Sequence, residues 1–198
     1  MDATEVLNQD HVAIEALFRR YEDLTPPHPS QKTALFREIR EELERHRTIE
    51  EEIFYPAVRE VRTPQAERLV RQAIEGQREI QLLLVELAGG NPASDAFDAK
   101  FQALKESVLR HAQEEETDLF TEVWGSISDD DLERLGQELA DRKQELGRRV
   151  RRPPRPATGV ERAVSRANRG RSTTAGRDSR SSRSPSRAPK SRTRTKSR

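Results

Sequence analysis

A chain of 198 residues is long enough for one well-cored domain and an extension, and the absence of cysteine excludes disulfides, thiolate metal sites and cysteine nucleophiles. The net charge of +1 conceals a division: residues 1–146 carry 18 Lys/Arg against 33 Asp/Glu, whereas residues 147–198 carry 18 against 2. The acidic start lacks the apolar run of a secretory signal, and the most apolar stretch, Ile80 to Ala88, is too short to span a bilayer, so a soluble, cytoplasmic chain without membrane contact is expected.

Taken in order, the first helix is predicted from Asp2 or Thr4 to about Leu24, with Leu7, His11, Ile14, Leu17, Phe18 and Tyr21 facing inward. Thr25-Pro-Pro-His-Pro-Ser30 breaks it, because proline fixes φ and lacks a donor. His28 in that run reads as a solvated surface residue, and Ser30 as the cap of a second helix reaching about Val61, kinked at Pro56. Thr63-Pro64 opens a third helix, with Val70, Ala73, Gln77, Ile80, Leu84 and Leu87 inward, which Gly89-Gly90-Asn91-Pro92 stops. A fourth runs from Ser94 or Asp95 to about Trp124, ended by Gly125, and Ser128 caps a fifth segment to about Leu146. That last segment has one narrow stripe, Leu132, Leu135, Leu139 and Leu146, suited to packing across the outside of a bundle. No stretch has a period of two. The predicted fold is all-α, an up-down-up-down four-helix bundle with an extra C-terminal helix.

Two segments of this bundle are near-copies, sixty-five positions apart: His46-Arg-Thr-Ile-Glu50 and His111-Ala-Gln-Glu-Glu115. Residues at i and i+4 of a helix share a face about 6 Å apart, so each pair can offer an imidazole and a carboxylate to one ion or to two adjacent ions. In the second helix Ile39, Leu43, His46, Glu50, Ile53 and Ala57 recur as an inward seam; in the fourth, Phe101, Leu104, Val108, His111, Glu115 and Leu119 do so. An ionised carboxylate in such a seam costs several kcal/mol unless it is paired or bound to metal. The same costly choice is made twice, and His11 supplies a third inward imidazole. Imidazole and carboxylate ligands suit iron, manganese or zinc. Each pair, read by itself, also fits an internal hydrogen-bonded pair that lends the core specificity. Of Glu50-Glu51-Glu52 and Glu114-Glu115-Glu116, one member each is expected inward and the other four solvated. Phe54, Tyr55, Phe120, Trp124 and Tyr21 read as packing residues.

His11 in Asp10-His11-Val-Ala-Ile14, followed by His46/Glu50 and His111/Glu115 and their aromatic tails Ile-Phe-Tyr-Pro and Asp-Leu-Phe-Thr, resembles the hemerythrin-like family, the proteins with an HHE cation-binding domain, over roughly residues 5 to 124. The resemblance implies a non-haem di-iron centre with both motif carboxylates bridging, His11 and His46 serving one iron, and His111 with helix-3 histidines serving the other. It also implies oxygen binding, or reaction with peroxide or nitric oxide, in sensing or detoxification. This chain departs from the pattern in its third helix, where Gln77 stands in the place of a ligand histidine and Ala73 offers no donor. An amide oxygen is a poorer iron donor than imidazole. Three outcomes are open: a weakened di-iron site completed by water, a mononuclear site on His11, His46 and the two glutamates, or no metal. An under-ligated iron favours reactivity or sensing over carriage.

From residue 147 the chain turns to Arg, Ser, Thr, Pro and Ala, which cannot offset the entropy of ordering, so a disordered basic tail is expected. Its balance of +16 suits non-specific nucleic acid, with affinity falling as salt rises. A solubilising extension and a tail that folds back on the acidic bundle are the other readings. The alternative for the whole chain is a metal-free bundle acting as a nucleic-acid-tethered or protein-interaction module.

Overall fold

The computed structural model of the protein describes residues 1–24 and 28–151. All regular elements among them are helical: α1 (Ala3–Glu22), α2 (Pro29–Ile49) continuing through a π-helical turn π1 (Glu50–Phe54) into α3 (Tyr55–Arg59), α4 (Pro64–Ala88), α5 (Asp95–Glu114) continuing through π2 (Glu115–Leu119) into α6 (Phe120–Ser126), and α7 (Asp129–Arg151). These form four rods packed in sequence, with α1 closing on α5, and α7 laid across α1, α2 and π1. The all-helical bundle with an added helix expected from the sequence is the observed architecture.

The ends follow capping chemistry. Asp2 accepts from the backbone N–H of Thr4 and Glu5 while Glu5 accepts from Asp2 N–H, a reciprocal capping box. Thr63 and Ser94 cap α4 and α5 through their hydroxyls. Within the four rods two expected ends move: α2 starts at Pro29 with exposed His28 in the cap position instead of Ser30, and α6 runs through Gly125 to Ser126. Proline is favoured in the first helical turn, where its missing N–H has no intrahelical partner in any case. At the loop end, Lys32 donates to both Asp98 oxygens at 2.6 Å and Tyr21 adds a third bond at 3.2 Å, so one carboxylate ties α1, α2 and α5 together. Tyr21 stacks on Phe101, as a packing residue should.

α7 docks through Leu132, Leu135 and Leu139, all buried, and through Gly136, where a Cβ would come within 2.4 Å of the Met1 carbonyl oxygen. Only a glycine lets the two backbones approach so closely. The helix runs through Gly147 to Arg151, past the expected end at Leu146. The disorder expected of the basic extension from residue 152 on, and the helix break at residues 25–27, lie outside the described residues.

The apolar core is divided. One cluster gathers Leu7, Ile49, Phe54, Ala73, Leu119 and the α7 leucines; the other gathers Ile14, Leu43, Ile80, Val108 and the aromatic residues of the loop end. Each rod is interrupted at the same level by a buried polar side chain: His11 in α1, His46 and Glu50 in the second rod, Gln77 in α4, His111 and Glu115 in the fourth. The bundle is thus two apolar layers with a polar layer between them.

Candidate metal centre

Both π turns begin at a motif glutamate: Tyr55 N–H bonds to the Glu50 carbonyl, and Phe120 N–H to that of Glu115. A π turn places one extra residue in the helix, which shifts every later side chain by one position. Phe54 and Val58 are therefore fully buried, where the unbroken period had put Ile53 and Ala57, and the expected kink at Pro56 becomes a widened turn just before it. Thr121 occupies the place of Pro56 in the second copy, so proline is not what makes the turn. The shared feature is the glutamate at its first position.

The turn also brings neighbouring side chains inward together. Glu115 is 1% exposed, and Glu116 beside it accepts from His11 Nδ1 at 2.7 Å. This corrects the expectation that Glu116 is only solvated. His46 has a matching carboxylate behind it, Asp10, with Oδ2 3.4 Å from Nδ1. With Nδ1 of each ring turned to a carboxylate, the two Nε2 atoms face inward, 3.1 Å apart. His46 Nε2 lies 3.1 Å from Glu50 Oε1, and His11 Nε2 lies 3.4 Å from Glu115 Oε2. Ligand atoms of His11, His46, Glu50 and Glu115 all fall within 4.8 Å of one another, and all four residues are buried.

Hydrogen bonding accounts for only part of this cluster. Glu50 Oε1 and Glu115 Oε2 have no hydrogen-bond partner. If each Nδ1 carries the proton facing its carboxylate, a neutral ring presents only a lone pair at Nε2, so four electron-pair donors converge unless a ring is protonated at Nε2 as well. Such an arrangement calls for positive charge. In the protein alone, protons supply it. Burial pulls His46 down, but Glu50 and Asp10 outweigh burial and hold the ring up to about 10. Burial likewise opposes His11, and the Glu115 and Glu116 carboxylates raise it. Burial and the facing Glu115 raise Glu50, whereas Glu115 is held well below the usual carboxylate range because His111, His11 and His46 overcome its burial. A cation on the same atoms would satisfy all four groups, so the residues fit a metal ion.

The outer side of the two glutamates is different. Gln77 donates to Glu50 Oε2 at 2.5 Å and to the Tyr55 hydroxyl at 3.0 Å, and Tyr55 donates to Glu115 Oε1 at 2.6 Å. Each glutamate thus has one oxygen fixed by this pair and one left toward His11 and His46. His111 stands outside the four-residue group: its Nε2 is 3.6 Å from Glu115 Oε2 and has no hydrogen-bond partner. Beside it, Ala73 and Gln72 line a void of about 10 Å³. Sequence reasoning assigned Tyr55 to packing and gave Asp10 no role. Tyr55 follows Glu50 by five positions, a spacing that meets the site only across a π turn. Phe54 and Phe120 pack as expected, but Trp124 is 56% exposed, with its indole N–H on Thr4 Oγ1.

Residues 2–123 match the hemerythrin HHE cation binding domain. The crystal structure of a hemerythrin HHE cation binding domain-containing protein, the Rv2633c homolog from Mycobacterium kansasii, has a TM-score of 0.65 and 30% sequence identity, covering 74% of this chain and 87% of that one. The uncharacterised protein Rv2633c of Mycobacterium tuberculosis is 26% identical over 149 residues, 74% of this chain and 88% of that protein. A DNA nickase of Nostoc sp. is 25% identical over 150 residues, 76% of this chain but 41% of the nickase, so the chain spans about two fifths of that relative's length. With its His/Glu layer in a helical bundle and most of its length matched, the chain belongs to the hemerythrin HHE cation-binding domain family.

Proposed function

We propose that this chain is a non-haem iron protein whose ion is held by His11, His46, Glu50 and Glu115, and that it binds or reacts with a small ligand, oxygen, nitric oxide or peroxide, in sensing or detoxification. The observation that carries the reading is the convergence of two Nε2 atoms and two carboxylate oxygens without a hydrogen-bond partner within 4.8 Å. One ion is the stoichiometry favoured, because the Gln77–Tyr55 pair already engages the other oxygen of each glutamate and His111 lies outside the group. Iron with open positions binds and exchanges electrons with small oxygen- and nitrogen-centred ligands. The chain's own part is to orient the two imidazoles, through Glu116 and Asp10, and to limit access. A cavity of about 190 Å³, bordered by His11, His46, His111, Val12, Ile14 and Glu116, reaches the imidazole side of the cluster. That space suits a diatomic molecule or peroxide and is too small for most organic substrates.

Paramagnetic resonance of anaerobically iron-loaded protein exposed to nitric oxide tests the reading. The half-integer spin signal of a mononuclear iron nitrosyl is expected, and it should be lost in His46→Ala. A spin-coupled pair signal would mean two ions, and no signal in iron-loaded wild type would remove the small-ligand function. A second activity, non-specific nucleic-acid binding, is supported by the +16 balance of residues 147–198 and by similarity to a relative that is a DNA nickase.

A further inference from the structure

Asp10 lies next to His11 in α1, but its carboxylate turns to His46 of the second rod. Asp10 Oδ2 and His46 Nδ1 are 3.4 Å apart, both are buried, and neither has a hydrogen-bond partner elsewhere among the described residues. The other oxygen, Oδ1, accepts from Lys143 Nζ of α7. The Lys143 side chain is 30% exposed and that of Asp10 only 6%, so the lysine reaches from the surface onto a buried charge. Its neighbour Arg142 holds Glu52 of π1 at two points, Nε to Oε2 at 2.7 Å and Nη2 to Oε1 at 3.2 Å. Two adjacent cations of α7 therefore grip the two elements that carry His11, Asp10 and Glu50. The matched family domain ends at residue 123, before α7 begins.

We propose that Lys143 is a positioning residue of the site: by fixing Asp10 it fixes the ring of His46, which makes α7 a working part of the centre. A carboxylate turns freely about its last bond unless one oxygen is anchored. Lys143 anchors Oδ1 and compensates a buried charge that would otherwise be costly, leaving Oδ2 directed at Nδ1. Partners behind a ligand histidine set ring orientation and donor strength, and losing one typically weakens metal binding by about 10- to 100-fold. The consequence for metal affinity rests on the iron reading given above; the ring orientation does not.

The test uses the full chain with Lys143→Met, which keeps the aliphatic stem, and Lys143→Arg, which keeps the charge. The exchange-protected ring N–H of His46 is followed by NMR in metal-free protein, and iron(II) affinity is measured anaerobically against a competing chelator. Wild type and Lys143→Arg should show the ring signal. Lys143→Met should lose it and bind iron(II) about 10- to 100-fold more weakly, with unchanged helix content. If Lys143→Met fails to fold, Asp10→Asn, close in shape, should lose the same signal. A ring signal and affinity unchanged in the Met variant, or a ring signal unchanged in Asp10→Asn, would overturn the proposal. Wild type that takes no iron, while Lys143→Met still loses the ring signal, would sink the iron reading and leave the positioning role standing.

Discussion

Gln77 decides which faces of the two glutamates are open. As a donor it occupies Glu50 Oε2 and the Tyr55 oxygen, and through Tyr55 it holds Glu115 Oε1. Gln77→His would exchange that donor for an imidazole beside Glu50 and Tyr55, so iron per chain measured by mass spectrometry should rise above the wild-type value. No rise would mean that a ring at position 77 adds no ligand to the site. A smaller effect is expected at Asp2. Burial raises its carboxyl, but the N–H groups of Glu5 and Thr4 and the Thr4 hydroxyl outweigh burial and lower it. A lowered native pKa adds stability above the unfolded-state value, and that stability disappears as pH falls through the native one. Asp2→Ala should therefore cost about 1 kcal/mol in urea unfolding at pH 7 and much less in strong acid; an equal cost at both would deny the charge any role. At this scale the sequence spoke through periodicity. His11, His46, His111, Glu50, Glu115 and Gln77 occupy seam positions, and all are buried. Asp10, Glu116 and Lys143 were silent because they act from behind a ligand, off the stripe. Their partners are set by which rods face each other, which spacing along one helix does not encode.

Helix starts were legible wherever a side chain caps them, as at Asp2, Thr63, Ser94 and Ser128. The π turns were not, because a 3.6-residue period assumes uniform winding. The extra residue moved Ile53 and Ala57 partly out and Phe54 and Val58 in, and it brought Tyr55 to the site. The turns are also less favourable than α geometry, which points to a role at the centre. Deleting Thr117, an exposed residue of π2, should convert that turn to α geometry and keep Phe120 and Val123 inward. The expected product is a folded protein with unchanged helix content by circular dichroism and weakened metal binding, because Glu116 swings away from His11. Undiminished binding would show that the turn does not position the ligand set.

On the scale of the whole chain, an acidic, metal-binding-family bundle is joined to a strongly basic extension, and the two call for separate experiments. Ending the chain after Arg151 keeps all of α7. The shortened protein should lose binding to a DNA duplex at low salt, and the full chain should show affinity falling steeply with salt. Equal binding by both would assign that activity to the bundle. Metal content is the most direct test of the polar layer between the two apolar clusters. Full-length protein prepared without chelators and loaded anaerobically with iron(II) should carry about one iron per chain, and His46→Ala close to none, because removing one of two imidazoles leaves too few nitrogen donors. About two irons per chain would contradict the closure by Gln77 and Tyr55. No iron in wild type, or equal iron in His46→Ala, would contradict the site itself.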